Sequence, residues 1–308
     1  MTQTAPMRFV LEYPSELPAA PDEFLHPKVI RDVVAQAEDS RFAGVALSDH
    51  PAPSVKWRAN GGHETLDPVA ALSFMAGVSS EIALLTNLYV LPFRNPYVTA
   101  KALGSLDLIS GGRLIAGVGA GYLRSEFSAV GVDFERRAAL LDESLEAVRS
   151  IWTDPEMPVH GNGFGAIGPV SAQRPTQRPH PPIWIGGNSR AAIRRVVEHG
   201  QGWMPLITGE AMASAIRTAT ISTPDQFSDE LAVLRKRLAD AGRDPESIDV
   251  QVVCPPTDLS DAASVRGARD FLADLGRRGA TWVVIHADGS SPRAALSYIR
   301  RFGEMFIE

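Results

Sequence analysis

Short apolar segments alternate with longer helical patterns along most of this chain, and the alternation repeats eight times. The short segments are rich in branched and aromatic residues and are bounded by Gly, Pro or Asp, which is typical of β-strands. Strands that alternate with helices form a parallel sheet, and eight such units favour closure into an α/β (β/α)8 TIM barrel. The predicted strands are residues 7–13, 44–48, 83–90, 114–119, 182–186, 202–206, 250–254 and 282–286.

Apolar residues recur with helical period between these strands. The clearest case is residues 134–152, where Leu141 and Leu145 share one face of the predicted helix and Glu146 lies on the other. Active sites of such barrels lie at the carboxyl ends of the strands, so we judge each polar residue by the strand end that it occupies. The other predicted helices are residues 26–41, 68–80, 100–110, 189–199, 225–241, 264–278 and 292–306.

The length of 308 residues exceeds the roughly 250 of a typical barrel, so we expect one domain, residues 1–308, with long loops. The composition, 44% hydrophobic and 21% charged with a net charge of −6, predicts neither a nucleic acid nor a membrane as partner. The single Cys254 and the absence of a signal peptide pattern predict a cytoplasmic location. A homodimer is compatible with an apolar bottom or side face.

Two segments interrupt the strand and helix alternation. Residues 51–66 follow the second strand and form a loop longer than usual, which makes it a candidate lid. Residues 153–181 hold six prolines and four glycines and predict an extended insertion between the fourth helix and the fifth strand. The sequence leaves open whether this insertion forms a hairpin or a packing loop.

Three strand ends at the predicted mouth carry residues suited to chemistry. Asp49 and His50 follow the second strand, where an imidazole can exchange a proton with a substrate and the carboxylate can orient it. Glycines around Ala120 and Gly121 let a flat ligand approach the backbone, although their spacing fits no dinucleotide or phosphate-loop fingerprint. The turn formed by Gly186, Gly187, Asn188 and Ser189 runs from a strand into a helix, which suits either a phosphate or a plain helix cap.

Five motifs occur in order along residues 7–205: Ser48-Asp49-His50, Asn87-Leu88 with Pro92-Phe93-Arg94-Asn95-Pro96, Ser110-Gly111-Gly112-Arg113, Gly117-Val118-Gly119-Ala120-Gly121, and Pro181-Pro182-Ile183-Trp184-Ile185-Gly186-Gly187-Asn188-Ser189. Together they resemble the luciferase-like monooxygenase superfamily, and within it the branch that depends on coenzyme F420, a deazaflavin. The resemblance implies a barrel that holds the tricyclic ring at its mouth. Gly111, Gly112 and Arg113 precede a strand and therefore predict a turn on the opposite, bottom face.

The resemblance also implies roles for particular residues. The ring packs on a bulge in the third strand at Asn87 and Leu88, often through a non-prolyl cis peptide. Asp49 and His50 face the ring and the substrate, and the backbone near Ala120 and Gly121 lines the ring. The phosphate is received by the turn of Gly186, Gly187, Asn188 and Ser189. Tyr122 stands where related sugar-phosphate dehydrogenases have a glutamate proton donor, which disfavours a sugar phosphate as substrate.

The expected reaction is hydride transfer between F420 and a small organic substrate. We expect His50 to give or take the proton, Asp49 to orient the imidazole of His50, and Tyr122 to donate a hydrogen bond. A reduced-FMN-dependent monooxygenase on the same scaffold is the alternative for cofactor and chemistry. A metal-dependent hydrolase using Asp49, His50 and His286 is a third reading, although the sequence lacks a tight ligand cluster. A flavin-binding relative without catalytic activity is the fourth.

Overall fold

Eight parallel strands form a closed ring in the computed structural model, which describes residues 7–307. The strands of the chain are β1 (Arg8–Glu12), β2 (Gly44–Leu47), β3 (Ala83–Thr86), β4 (Tyr89–Val90), β5 (Leu114–Gly119), β6 (His160–Gly161), β7 (Phe164–Gly165), β8 (Ile183–Gly186), β9 (Gly202–Met204), β10 (Asp249–Val253) and β11 (Trp282–His286). The ring runs β1, β2, β3, β5, β8, β9, β10 and β11, and β11 pairs with β1 to close it. The predicted TIM barrel and its eight strand positions are therefore confirmed.

The third predicted strand is divided into β3 and β4 by a cis peptide between Asn87 and Leu88. Both pieces pair with β5, with Leu84 facing Leu114 and Tyr89 facing Val118. Between these two pairs the third strand advances by five residues, whereas β5 advances by four. The third strand therefore contains one extra residue, which makes the interruption a bulge. The structure confirms the bulge and the cis peptide that the resemblance implied.

All eight predicted helices are present and surround the barrel. Three further short helices, α2 (Val55–Ala59), α5 (Arg124–Ala129) and α8 (Glu210–Ala215), lie in the loops that follow β2, β5 and β9. The fourth predicted helix, α6 (Arg137–Thr153), keeps its position. The third, α4 (Pro96–Ile109), begins four residues earlier than predicted because Asn95 caps it and Pro96 starts it. The helices are α1 (Pro27–Asp39), α2 (Val55–Ala59), α3 (Pro68–Ala76), α4 (Pro96–Ile109), α5 (Arg124–Ala129), α6 (Arg137–Thr153), α7 (Arg190–His199), α8 (Glu210–Ala215), α9 (Pro224–Asp240), α10 (Ala262–Arg278) and α11 (Pro292–Phe306).

Side chains from seven strands fill the interior of the barrel. The rings of Trp184 and Trp282 meet edge to face with centroids 5.2 Å apart. Only glycine fits at position 117, because a Cβ there would overlap the carbonyl oxygen of Thr86 and would lie 2.9 Å from the sulfur of Met204 in this layer. The rest of the apolar core lies between the strands and the helices. The interior residues are Val10, Ala46, Leu85, Ile115, Trp184, Met204, Trp282 and Val284.

The insertion between α6 and β8 contains a hairpin, formed by β6 and β7, so the open choice between a hairpin and a packing loop is resolved. Its two ends are fastened to α4. The hydroxyl of Tyr97 donates to the carbonyl of Val159, and the buried carboxylate of Asp107 accepts from the amides of Thr176 and Gln177. Along residues 7–307, no helix combines the length and the apolar character that crossing a membrane requires.

Arg113 ties together the bottom face of the barrel, where Gly111 and Gly112 adopt positive φ angles of 68° and 91°. Its guanidinium donates to the carbonyls of Ala76, Ile82 and Ser110 at 2.8 to 3.1 Å. The first and last of these carbonyls belong to the ends of α3 and α4, which the helices themselves leave unsatisfied. The expected structural role of this bottom-face motif is thus confirmed.

Replacing Arg113 with Met retains the apolar stem but leaves the three carbonyls without their donor. We expect Arg113→Met to lower the free energy of unfolding by about 3 kcal/mol, measured by urea denaturation. Arg31→Met, at an exposed position of α1, is the matched control and should change stability by less than about 0.5 kcal/mol. Equal stabilities of the two variants would refute this role for Arg113.

Candidate active site at the barrel mouth

His50 and Glu126 form a buried pair at the mouth of the barrel. His50 follows β2, and its Nδ1 lies 3.1 Å from Oε2 and 3.3 Å from Oε1 of Glu126 in α5. The side chain of His50 is 9% exposed and that of Glu126 is 2% exposed. A carboxylate accepts the Nδ1 proton, so the pairing leaves Nε2 of His50 available to a substrate.

The sequence prediction missed Glu126. The residue lies 76 positions after His50, in a helix of six residues that is too short to show an apolar period. The available signal was its place, four residues after Tyr122 in the loop that leaves β5. A carboxylate in such a loop reaches the mouth, where a neighbouring strand end supplies the imidazole.

Aromatic rings surround the imidazole of His50. Its centroid is 4.6 Å from the ring of Trp57, 5.3 Å from His63 and 6.0 Å from Tyr122. Trp57 belongs to α2, inside the loop predicted as a lid, and packs over Gly62, where a Cβ would overlap its ring. The loop of residues 51–66 therefore covers His50 in this structure.

The hydroxyl of Tyr122 is neutral at physiological pH. Burial raises the pKa of Tyr122 to about 12, and the nearby carboxylate of Glu126 contributes to the increase. The hydroxyl can therefore donate a hydrogen bond to a ligand, in line with its predicted role, but it does not act as a base near pH 7.

Within residues 7–307 the carboxylate of Asp49 forms no hydrogen bond with the imidazole of His50, so the structure gives no support to its predicted role as the orienting group. Its buried carboxylate receives two hydrogen bonds from the guanidinium of Arg94, at 2.6 and 2.8 Å, and one from the amide of Val90 at 2.9 Å. Successive residues of an extended chain point to opposite sides, which directs Asp49 to the third strand and His50 to α5. Asp49 holds the bulged strand, and Glu126 takes the place beside the imidazole.

Arg94 is positioned by the same contacts. Its guanidinium lies 4.3 Å above the ring of Tyr89, which gives a cation–π contact. Although burial opposes the charge, the hydrogen bonds and the charge of Asp49 raise the pKa of Arg94 overall. A planar, permanently charged group thus pairs with a buried carboxylate in the geometry that arginine favours.

A network of polar side chains lies beside the bulge at Asn87. The Asn87 amide donates to Oε1 of Glu12 at 3.2 Å and accepts from the amide of Gln251 at 3.4 Å. Oε2 of Glu12 makes a close ion pair with His286. Burial alone would lower the pKa of His286, but the hydrogen bond and charge of Glu12 raise it. The remaining oxygen of Gln251 is buried and has no partner within residues 7–307.

Glu16 is a second buried acid near the mouth. Its carboxyl group accepts from the hydroxyl of Thr65 and, at 3.0 Å, from the amide of Ser48. Burial, together with the charge of Glu12, raises the pKa of Glu16 to about 8. Nδ1 of His63 lies 3.7 Å away. Glu16 is therefore largely protonated at neutral pH, and it adds no full negative charge to the site.

Glycines at the ends of β5 and β8 hold the bulge in place. A Cβ on Gly119 would lie 2.8 Å from Cδ1 of Leu88, and one on Gly186 would overlap the same atom. Gly121 adopts a φ of 75° and packs against Phe127, and Ala120 joins it to β5. The structure thus brings together Leu88 and Gly186, which the sequence analysis assigned to one ligand, whereas Gly121 packs against Val90 and Phe127.

The turn after β8 is less open than the sequence analysis predicted. The amide of Gly187 donates to Met204, and that of Asn188 donates to Oγ1 of Thr218 at 2.9 Å. The Asn188 side chain is also used internally, because it bonds the backbone of Leu206 and Ala219 at 2.8 to 2.9 Å. Asn188 therefore fastens the loop after β9 instead of offering its side chain to a phosphate.

The hydrogen-bond donors that remain available to an anion at this turn lie at the start of α7. The hydroxyl of Ser189 accepts from the amide of Ala192 at 3.1 Å and keeps its own proton for a ligand. The first-turn amides of α7 have no partners inside the helix. Among the residues that the structure describes, no group of three or more His, Cys, Asp and Glu side chains is arranged to hold a metal ion.

The raised pKa of Glu16 predicts a pH-dependent stability. The folded protein retains a proton up to about pH 8 that the unfolded chain, with an ordinary pKa of 4.5, releases earlier. Stability should therefore fall as pH rises through this window, and Glu16→Gln should flatten the decline because glutamine stays neutral. Calorimetric unfolding at pH 5 and pH 8 measures the difference. Glu210→Gln, at an exposed site, should follow the wild type, and a Glu16→Gln variant that also follows it would contradict the prediction.

Comparison with protein families gives a match over most of the chain. The model of the family described as luciferase-like monooxygenase matches residues 7–281. An uncharacterized protein of Mycobacterium tuberculosis is 29% identical over 238 residues, which cover 77% of this chain and 75% of that protein. The F420-dependent glucose-6-phosphate dehydrogenase of Amycolatopsis mediterranei is 29% identical over 185 residues, which cover 58% of this chain and 53% of the dehydrogenase.

Solved structures share the whole fold at low sequence identity. Monooxygenase RslO1 from Streptomyces bottropensis superposes with a TM-score of 0.78 at 22% identity, covering 98% of this chain and 99% of that one. The FMN-bound oxygenating constituent of 3,6-diketocamphane monooxygenase from Pseudomonas putida gives 0.75 at 15% identity, with 98% of each chain covered. The coenzyme F420 dependent tetrahydromethanopterin reductase from Methanopyrus kandleri gives 0.72 at 18%, covering 98% of this chain and 99% of that one. With the barrel, the bulge and a family model matched over residues 7–281, the chain belongs to the luciferase-like monooxygenase family.

Proposed function

We propose that this protein is an oxidoreductase that transfers a hydride between coenzyme F420 and a small organic substrate at the barrel mouth. The buried pair of His50 and Glu126 carries the proposal, because hydride transfer to a carbonyl or from an alcohol needs a proton donor or acceptor beside the oxygen. The choice of cofactor is supported by the similarity to the F420-dependent dehydrogenase of Amycolatopsis mediterranei.

The residues at the mouth fit a flat heterocycle with a phosphate at one end. The unpartnered buried oxygen of Gln251 can accept from a ring N–H, which would remove the cost of leaving it unsatisfied. Leu88, held between Gly119 and Gly186, offers an apolar surface at the bulge. Ser189 and the first-turn amides of α7 offer donors for the phosphate. These groups are the ones that we expect to hold the cofactor.

When bound, the deazaflavin takes up or gives a hydride at carbon C5. His50 handles the accompanying proton. With its Nδ1 proton donated to Glu126, the neutral imidazole presents Nε2 as a base, which removes the hydroxyl proton of an alcohol. In the reverse direction the protonated ring donates from Nε2 to a carbonyl oxygen, and Glu126 stabilises the charged ring in both cases.

The ring of aromatic side chains around His50 favours a neutral substrate. Trp57 covers the imidazole and limits its contact with water, which strengthens the hydrogen bonds made there. The neutral hydroxyl of Tyr122 can donate a further bond to the substrate oxygen. We therefore infer a small, apolar ketone or secondary alcohol as the substrate class.

A titration of the purified protein with F420 and with FMN tests the cofactor assignment. We expect oxidised or reduced F420 to bind at least tenfold more tightly than either form of FMN, followed by fluorescence at fixed salt. The alternative, a reduced-FMN-dependent monooxygenase on the same fold, predicts the opposite order. Tighter binding of reduced FMN would replace the proposed hydride transfer with oxygen chemistry.

Substitution of the buried pair tests the proton-transfer role. His50→Ala should leave F420 affinity near normal and slow single-turnover hydride transfer by about 10²-fold or more, because the proton exchange is lost. Glu126→Gln should slow the same step while the side-chain shape is kept. Turnover is followed by F420 absorbance with a panel of secondary alcohols and ketones. His160→Ala, at an exposed hairpin position, should behave as wild type. Unchanged turnover in His50→Ala would remove His50 from the mechanism.

A further inference from the structure

Three arginine side chains surround one aromatic ring at the rim of the mouth. The guanidinium carbons of Arg137, Arg124 and Arg217 lie 3.9, 4.2 and 5.2 Å from the centroid of Phe134. The arginines come from α6, α5 and the loop after α8, so three separate chain segments converge on this ring. We refer to Arg124, Arg137 and Arg217 as the rim arginines.

The rim arginines are connected to the ligand-lining backbone through packed aromatic rings. Phe134 meets Phe127 edge to face with centroids 5.2 Å apart. A Cβ on Gly121 would lie 2.9 Å from the ring of Phe127, so this ring borders the glycine turn after β5. Two packed aromatic rings, Phe134 and Phe127, thus connect the arginines to the turn predicted to line the cofactor ring.

The rim arginines carry more positive charge than the neighbouring acids neutralise. Arg124 pairs with Glu135, and both side chains are more than half exposed, at 57% and 65%. Arg137 donates to the carbonyl of Phe134 at 3.0 Å. Within residues 7–307, neither Arg137 nor Arg217 forms a salt bridge with a carboxylate. Burial lowers the pKa of Arg137, and the charges of Arg217 and Arg124 lower it further against the effect of Glu135.

Arg217 connects this cluster to the turn after β8. It adopts a positive φ of 57°, a conformation that is costly for a residue with a long side chain. The next residue, Thr218, accepts the amide proton of Asn188 at 2.9 Å. Neighbouring Cα atoms are about 3.8 Å apart, so Arg217 begins beside the turn proposed for the phosphate and extends to Phe134.

We propose that the rim arginines form a binding site for carboxylate groups, and that its ligand is the acidic tail attached to the phosphate end of the cofactor. The proposal rests on the proposed F420 dependence, because the deazaflavin coenzyme carries glutamate residues beyond its phosphate. A guanidinium stacked on an aromatic face keeps the N–H groups at its edge free for two parallel bonds to a carboxylate.

Carboxylates could also reach this site from an acidic substrate. The two sources differ in whether the carboxylate is joined to the deazaflavin. The aromatic surroundings of His50 and the Glu126 carboxylate beside it favour the cofactor as the source, since a negatively charged substrate would have to pass from the rim to a mouth lined by Trp57 and Tyr122. The cofactor's phosphate, by contrast, would already lie beside Thr218.

Binding measurements with Arg217→Gln and three probes test the site. The probes are F420 with its glutamate tail, the deazaflavin riboside that lacks phosphate and tail, and free tri-γ-glutamate. We expect Arg217→Gln to weaken F420 binding about tenfold at low salt, to reduce the salt dependence of that binding, and to leave riboside affinity unchanged. Arg237→Gln, exposed on α9, is the matched control and should leave all three affinities unchanged.

Each other outcome has a defined meaning. Unchanged affinity for both F420 and tri-γ-glutamate in Arg217→Gln and Arg137→Gln overturns the site. Loss of tri-γ-glutamate binding with unchanged F420 affinity overturns the tail as the ligand and assigns the carboxylate to a substrate. Equal weakening of F420 and riboside shows damage to the mouth and overturns a separate tail site. A wild-type protein that binds neither F420 nor the riboside overturns the proposed function, and the tail site with it.

Discussion

The ion pair of Asp49 and Arg94 holds the mouth of the barrel in its observed shape. The Asp49 carboxylate is buried at the end of β2 and receives three hydrogen bonds, two from Arg94 and one from the backbone of Val90. A buried carboxylate without such partners would be strongly destabilising. The pair therefore fixes β4 against β2 on one side of the bulge, and it fixes the direction in which the next residue, His50, leaves the strand.

Charge at the mouth is arranged by burial and pairing. Glu12 is matched by His286, Asp49 by Arg94 and Glu126 by His50, so each acid has a basic partner. Glu16 departs from this pattern and is held neutral by burial, which raises its pKa to about 8. The acids of the mouth are thereby paired or protonated around the aromatic rings, whereas positive charge without a carboxylate partner lies outside it, on Arg137 and Arg217 of the rim arginines.

The strands and long helices were predictable because burial imposes a period on neighbouring residues, as in α6, and because residues such as Pro224 mark helix starts. The bulge at Asn87 was accessible through resemblance alone, since no local period signals it. Pairing across the mouth was not predictable. Asp49 lies next to His50 in sequence, yet its partner Arg94 is 45 residues away, and the partner of His50 is 76 residues away. Such choices depend on how loops converge, which neither composition nor spacing encodes.

Tyr122 is poorly suited to the proton exchange that the resemblance implies for a glutamate at this position. A phenol with a pKa of about 12 exchanges protons poorly near pH 7, whereas an imidazole is suited to that pH. In the proposed reaction, proton exchange therefore falls to His50, and the carboxylate that supports it comes from Glu126, four residues after Tyr122. In this arrangement the acid orients the histidine from a buried position and does not itself face the ligand. The space beside His50 is left to aromatic rings, which explains why the geometry favours a neutral substrate over a phosphorylated one.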